Sequence, residues 1–124
     1  MFKQVQEFHN KFGLPVGKTP QFLTNDRTEL RWDLLEEELD ELNDAYDDGD
    51  LVGIADAIGD AIYILLGTAV EHGIPIDEVF DEIHRSNMSK LDEDGKPIYR
   101  EDGKVLKGPN YIKPDIARIL NEYK

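Results

Sequence analysis

Residues 33–72 read DLLEEELDELNDAYDDGDLVGIADAIGDAIYILLGTAVEH, and this stretch decides the fold. Its apolar residues recur every three or four positions, which is typical of amphipathic helices. We predict one helix over about 26–48 and a second over about 50–72, ended by Gly49 and Gly73 respectively, because glycine is the usual residue just past a helix C-terminus. The side chains suited to cap the two N-termini are those of Thr24, Asn25, Asp26 and Asp50.

Shorter elements flank this pair of helices. Apolar spacing predicts a helix over 2–12, and two prolines and two glycines predict a loop over 13–23. A third helix is expected over 75–90, a β-hairpin over 96–107 with Asp-Gly at its turn, and a last helical stretch over 114–123. The sequence therefore predicts an all-α fold, a single-domain helical bundle with a small C-terminal β-hairpin appendage.

Composition excludes several classes of protein. The 124-residue chain has 27 Asp and Glu and 14 Lys and Arg, giving a formal net charge of −13. Such a charge repels phosphates, so we do not expect a nucleic-acid partner. The chain lacks cysteine, which excludes disulfide scaffolds, zinc–thiolate sites and thiol nucleophiles. No run of about 18 uncharged apolar residues predicts a membrane span, and the charged N-terminus is unlike a signal peptide, so we expect a cytoplasmic protein.

The acidic residues are concentrated in the middle of the chain. Residues 32–84 hold 17 Asp and Glu and no Lys or Arg, and seven bases follow between Arg85 and Lys113. An exposed acidic helix usually carries lysines placed to pair with its acids. The block is therefore either a self-repelling soluble surface or a set of carboxylates that needs a cation.

Three carboxylates lie at or inside the apolar arc of the first long helix. On a helical wheel Glu38 falls within the arc, and Glu37 and Glu41 fall at its edge. A buried charge requires a partner, which would be either a distant base such as Arg85 or Lys90, or a metal ion. The residues that form the apolar arc, all expected to be buried, are Trp32, Leu34, Leu35, Leu39, Leu42 and Tyr46.

Only Asp56 and Asp60 are charged between Leu51 and Val70 of the second long helix. They lie one turn apart on the same face. Because this helix is apolar nearly all round, we expect it to be central and buried, with Asp60 unable to reach solvent easily. The other helical segments offer it too little cover, so we predict a homodimer that could assemble further into a tetramer.

Repulsion between these acids favours a bound cation. Two carboxylates about 5 Å apart repel by roughly 3 kcal/mol at an effective dielectric constant near 20. Four or five in one pocket would exceed what a domain with a stability of about 5–15 kcal/mol tolerates. Oxygen ligands without histidine or cysteine select hard ions, so Mg²⁺ is expected, with Mn²⁺ as a substitute.

The acidic pattern resembles a known superfamily. Glu37, Glu38 and Glu41 form an EExxE motif, and Asp60 follows about twenty residues later on an apolar helix. With HRSNMSKL at 84–91 and DGKVLKGPNY at 102–111, the chain resembles the all-α nucleoside triphosphate pyrophosphohydrolases over roughly residues 27–115. Within that superfamily it is most similar to the MazG-like and phosphoribosyl-ATP pyrophosphohydrolase-like branch.

This resemblance implies Mg²⁺-dependent cleavage of a nucleoside triphosphate to the monophosphate and pyrophosphate. The family's second motif is ExxD, but Ala57 stands at the position of its glutamate. Asp56 could replace that glutamate with a shorter reach, because positions three and four residues away share a face. The metal ligands implied for this chain are Glu37, Glu38, Glu41, Asp60 and, as the replacement, Asp56.

We predict that Glu38 is the catalytic base that accepts a proton from the attacking water. Asn87 could face the pocket or cap its helix, and the pattern favours core packing over substrate binding for Tyr111. The basic side chains that follow the acidic block in the sequence are expected to contact the outer phosphates of the substrate. The substrate-binding candidates are Arg85, Asn87, Lys90, Lys104, Lys107, Asn110 and Tyr111.

The sequence leaves alternative functions open. An enzyme of this fold could act on another phosphoanhydride, such as phosphoribosyl-ATP. The chain could instead be a non-catalytic acidic helical adaptor that binds a basic protein surface, or a family member that binds nucleotides without cleaving them. The adaptor predicts acids spread over exposed faces, whereas Glu38 and Asp60 are placed on apolar ones.

Overall fold

The computed structural model describes residues 1–124 and confirms an all-α fold with one small hairpin. By the distribution of contacts the chain divides into two compact units, Met1–Ile74 and Pro75–Lys124. The helices are α1 (Phe2–Lys11), α2 (Asn25–Asp47), α3 (Leu51–His72), α4 (Ile76–Met88) and α5 (Ile116–Asn121). The strands β1 (Ile98–Tyr99) and β2 (Val105–Leu106) pair antiparallel.

A very short turn joins α2 to α3. Gly49 has a φ of 63°, a backbone conformation that glycine adopts without strain. The Asp50 N–H donates to the Ala45 carbonyl at 2.9 Å and the Gly49 N–H donates to the Tyr46 carbonyl at 3.2 Å, as in a Schellman motif. The Asp50 carboxylate also accepts from the Gly53 N–H at 3.0 Å and so caps α3. The two helices therefore form a tight antiparallel hairpin, and Asp50 is confirmed as the predicted cap.

Residues at equal distances along the chain from Gly49 face each other across this hairpin. Near the turn, a Cβ built on Gly53 would lie 3.2 Å from the Ala45 Cβ. At the open end, Arg27 pairs with Glu71 at 2.8 Å. The predicted loop over 13–23 is also fastened here, since the Gly17 N–H donates to the Val70 carbonyl and the Gln21 N–H donates to the His72 carbonyl, both at 2.9 Å. α1 packs on α3 with Val5 buried.

The second unit contains α4, the hairpin and α5. The Glu82 carboxylate accepts from the Asp115 N–H at 2.7 Å, which ties the start of α5 to α4. Gly103 has a φ of 89° and lies in the hairpin turn, as the Asp-Gly pair predicts. The segment after β2 packs on the residues that follow α4, because a Cβ on Gly108 would lie 2.5 Å from the Leu91 carbonyl oxygen.

The predicted burial of the α2 arc is wrong on one side. Trp32 is 62%, Leu39 48% and Tyr46 61% exposed. In this chain α3 covers only the stripe of α2 that runs through Arg31 and Ala45, which are both buried. The prediction from the helical wheel places every apolar residue of α2 against one partner, whereas α3 is too narrow to cover all of them.

The expectation of a helix buried on all sides is also wrong for α3 within one chain. Asp56 and Asp60 are exposed, as are the large side chains of Ile58, Ile62 and Leu65. By length and composition alone α3 is apolar enough to cross a bilayer, since an 18-residue stretch of it has a mean hydropathy of 1.6 in spite of its two aspartates. Its apolar surface is therefore only partly covered by α1 and α2.

Candidate metal site and buried ion pairs

Three carboxylates meet across the α2–α3 hairpin. Glu38 and Glu41 of α2 and Asp60 of α3 each offer an oxygen, and these oxygens all lie within 4.8 Å of one another. Glu38 is half-buried, whereas Glu41 and Asp60 are exposed. We call these three residues the acidic cluster. Glu38 and Asp60 stand at equal distances from Gly49, so the hairpin register itself brings them together.

Glu38 lies in the centre of the buried stripe of α2, seven residues from Arg31 and seven from Ala45. Its Oε2 atom is buried and has no hydrogen-bond partner. Burial raises the pKa of the Glu38 carboxyl, and Glu41, Asp60 and then Asp56 raise it further. A carboxylate in this position requires either a proton or a cation.

The donors present fit a hard divalent cation. The acidic cluster supplies carboxylate oxygens only, and one of these oxygens is buried without a partner. Such a donor set suits Mg²⁺ or Mn²⁺. Of the other predicted ligands, Glu37 is exposed and outside the cluster, and Asp56 is outside it but close enough to affect Glu38. Ala57 is 2% exposed, so the position of the family's motif glutamate is packed in the core.

Arg85 is paired with an acid of its own helix. This residue, one of the two bases considered as partners of the buried carboxylates, forms a two-pronged ion pair with Glu82, at 2.7 Å from Nε to Oε1 and 2.9 Å from Nη2 to Oε2. Together with the Asp115 N–H, this arginine lowers the pKa of Glu82 to about 2. Glu38 Oε2 has no hydrogen-bond partner, so no base is bonded to it.

The sequence reasoning missed a second buried carboxylate, that of Glu71 near the end of α3. Its side chain is fully buried, and Arg27 donates to both of its oxygens, at 3.0 and 2.8 Å. Arg31 Nη1 lies 3.3 Å and His9 Nδ1 3.9 Å from Glu71 Oε2. We call His9, Arg27, Arg31 and Glu71 the Glu71 cluster. The sequence signal was an acid at the end of an apolar helix facing the two arginines at the start of α2.

The predicted substrate-binding residues all lie in the second unit. Lys107 Nζ is 4.7 Å from the centre of the Tyr111 ring, a cation–π contact that brings these two candidates together. Ser89 is the C-cap of α4, so the alternative that Asn87 caps this helix is wrong. The exposed candidates are Arg85, Asn87, Lys104, Lys107 and Asn110, and the half-buried ones are Lys90 and Tyr111.

Comparisons with known proteins agree with this architecture. The model of the phosphoribosyl-ATP pyrophosphohydrolase family matches residues 5–87. An uncharacterised protein of Acanthamoeba polyphaga mimivirus is 33% identical over 110 residues, covering 86% of this chain and 41% of the relative. The chain thus spans about two fifths of that relative's length.

A solved structure is similar over the whole chain. It is the crystal structure of a "putative NTP pyrophosphohydrolase" from Exiguobacterium sp. 255-15, with a TM-score of 0.53 and 25% identity. The match covers 99% of this chain and 98% of the other. The family match ends at residue 87, so the candidates from Lys90 to Tyr111 lie outside it.

Proposed function

Since the chain belongs to the phosphoribosyl-ATP pyrophosphohydrolase family, we propose that it is a hydrolase of phosphoanhydride bonds that cleaves a nucleoside triphosphate to the monophosphate and pyrophosphate in a Mg²⁺-dependent reaction. The observation that carries this proposal is the buried, unpartnered Oε2 of Glu38 beside Glu41 and Asp60. Binding to a basic protein surface does not require a buried, unpartnered carboxylate oxygen, whereas binding of the cation that accompanies a triphosphate does.

Each residue of the acidic cluster has a part in this proposal. Glu41 and Asp60, which are exposed, hold the cation together with Glu38. When bound, Mg²⁺ supplies charge neutralisation on the phosphates and a lower pKa for a coordinated water. Glu38 also accepts the proton of the attacking water, a role suited to a carboxyl whose pKa burial and the neighbouring acids raise. Glu37 and Asp56 remain predicted ligands at the margin of the cluster.

The same proposal includes the triphosphate contacts and the assembly. The candidate side chains of the second unit, among them Lys107, which lies over the Tyr111 ring, stay predicted contacts of the substrate phosphates. The exposed side chains of Ile58, Ile62 and Leu65 on α3 form the face through which two chains make a homodimer in the cytoplasm. Sedimentation at micromolar concentration tests the dimer, and a monomer would contradict it.

A panel of substrates tests the activity directly. The wild-type chain is incubated with canonical and modified nucleoside triphosphates and with phosphoribosyl-ATP, in Mg²⁺ or in a chelator, and released pyrophosphate is measured. We expect turnover of at least one nucleoside triphosphate that the chelator abolishes. Turnover of phosphoribosyl-ATP alone would show the second activity, which the matching family model favours. No pyrophosphate from any substrate would contradict the proposal.

A further inference from the structure

The Arg31 guanidinium is buried and contacts three successive turns of α3. Its Nη2 donates to the Ile64 carbonyl at 2.6 Å and its Nε donates to Thr68 Oγ1 at 3.1 Å. Its Nη1 lies 3.3 Å from Glu71 Oε2. Arg31 is 7% exposed and Glu71 1%. All these groups belong to one helix, so the contacts of Arg31 can form together only at one position of α2 along α3.

The backbone of α3 makes room for this guanidinium at Gly67. A Cβ at this position would lie 2.5 Å from Arg31 Nη2 and 2.8 Å from His9 Nε2. His9 is itself 2% exposed and is held by the Pro15 carbonyl at 3.0 Å from Nδ1. The guanidinium therefore fits against α3 in one place, where there is no side chain and where Glu71 supplies the opposite charge.

The Glu71 cluster and the α2–α3 turn lie on opposite sides of the acidic cluster. Seven residues, about 10 Å of helix, separate Arg31 from Glu38. On the other side, Ala45 and Gly53 pack where the hairpin closes. Apolar contacts between helices are non-directional and tolerate small slides and rotations. A buried ion pair tolerates them poorly, because displacement leaves a charge without a partner.

We propose that the Glu71 cluster is a positioning device that fixes the register and rotation of α2 on α3, and so holds Glu38 and Glu41 opposite Asp60. It acts through the carboxylates and does not touch the reacting atoms. This inference rests on the proposed function, because the register of the two helices matters for function only if it sets the geometry of a cation site. Buried ion pairs contribute little net stability compared with apolar groups, and specification of register is their best-supported role.

Two glycine substitutions on the same helix test this proposal. Gly67→Ala places a methyl group against the Arg31 guanidinium and keeps every charge of the cluster. Gly59→Ala is the matched control, because a Cβ there meets nothing within 4 Å. Mn²⁺ binding is followed by its electron spin resonance signal, at a temperature where all variants are folded. We expect Gly67→Ala to weaken Mn²⁺ binding by about 10- to 100-fold, the range for groups that orient metal ligands, and Gly59→Ala by less than about twofold.

A second measurement needs no metal. The chain has no cysteine, so cysteines introduced at the exposed positions Asp33 of α2 and Val52 of α3 can alone carry spin labels. Dilution with unlabelled chain restricts the measured distances to those within one chain. We expect Gly67→Ala to shift or broaden the α2–α3 distance distribution and Gly59→Ala to leave it as in the wild type.

A double variant covers the case in which Gly67→Ala does not fold. Arg31→Met with Glu71→Leu replaces the buried ion pair by apolar groups of similar size, and should retain stability while broadening the distance distribution and weakening Mn²⁺ binding. Unchanged distances and Mn²⁺ affinity in the folded variants would overturn the proposal. If the wild type binds no Mn²⁺, the proposed function fails, and the distance measurement alone decides the positioning role.

Discussion

Glu38 and Glu71 each have a buried carboxylate oxygen at the interface of one helix hairpin, and these oxygens differ in their partners. Glu71 has two guanidiniums within 3.3 Å and a histidine within 3.9 Å. Glu38 has an oxygen with no partner, and its charged neighbours are other acids. Glu38 lies on α2 and faces α3, and Glu71 lies on α3 and faces α2. Both belong to the same helix–helix interface, so the difference lies in the countercharge and not in the fold.

This comparison distinguishes a carboxylate that stabilises the fold from one that can bind a ligand. A buried acid whose countercharge is built into the chain is complete and can serve the fold. A buried acid surrounded by like charges is incomplete, and its cost is tolerated where a ligand supplies the missing charge. The predictions below test the difference from both sides.

The largest effect is expected for Glu38→Gln. Loss of the base and of a metal ligand should lower kcat by about 10³-fold, within the range for general-base catalysis. Without metal the variant should be as stable as the wild type or more so, because a buried charge is removed. Pyrophosphate release and thermal melting measure the two effects, with Glu36→Gln on the exposed face as the control. We expect the same pattern for Asp60→Asn, and near-full turnover in either variant would show that the site is wrongly assigned.

Glu71→Gln should lower the stability of the fold, in contrast to Glu38→Gln. It leaves Arg31, which is 7% exposed, without its countercharge and should cost about 3 kcal/mol of unfolding free energy. Urea denaturation in the absence of metal measures this loss, and the exposed Glu29→Gln of the same hairpin is the control. Equal stability of Glu71→Gln and Glu38→Gln would remove the distinction between the two carboxylates.

Added Mg²⁺ should act on one carboxylate and not on the other. At a Mg²⁺ concentration about 100 times its Kd, linkage predicts about 2.7 kcal/mol of added stability, a rise of several degrees in Tm. The shift should disappear in Glu38→Gln. Thermal melts with and without millimolar Mg²⁺ measure it, and a wild type with no shift would favour the acidic adaptor.

The smallest effect concerns Glu82, a third carboxylate with its countercharge in the chain. Arg85 and the Asp115 N–H lower its folded-state pKa to about 2. Its contribution is therefore fully present above the ordinary pKa of about 4.5 and is lost as the pH falls toward 2. Glu82→Gln should be less stable than the wild type at neutral pH, and the difference should shrink in acid. Melting curves between pH 2 and 6 test this, with exposed Glu93→Gln as the control; a constant difference would contradict it.

Local signals in the sequence predicted the helices well. Thr24, Asp50 and Gly73 act as the expected cap or stop residues, and the bounds of α2 and α3 agree within one or two residues. Burial was less predictable. A wheel assigns one buried side to a helix, but the shared stripe between α2 and α3 is narrow, so Trp32 and Tyr46 remain exposed.

The site was predictable to the extent that it follows from helix periodicity. Glu38 lies in the buried stripe and faces Asp60, as the spacing indicates. The exposure of Glu37 depends on the rotation of α2, which the sequence does not specify. The pairing of Arg27 with Glu71 joins residues 44 positions apart, and only the hairpin register shows that they meet.

The connection Asp48–Gly49–Asp50 has a consequence for how this chain can change. One inserted residue there would rotate every later position of α3 by about 100° relative to α2. Asp60 would turn away from its two carboxylate neighbours, although no ligand had been substituted. Among homologues that keep the activity, the length of this connection should therefore vary less than the identity of its residues.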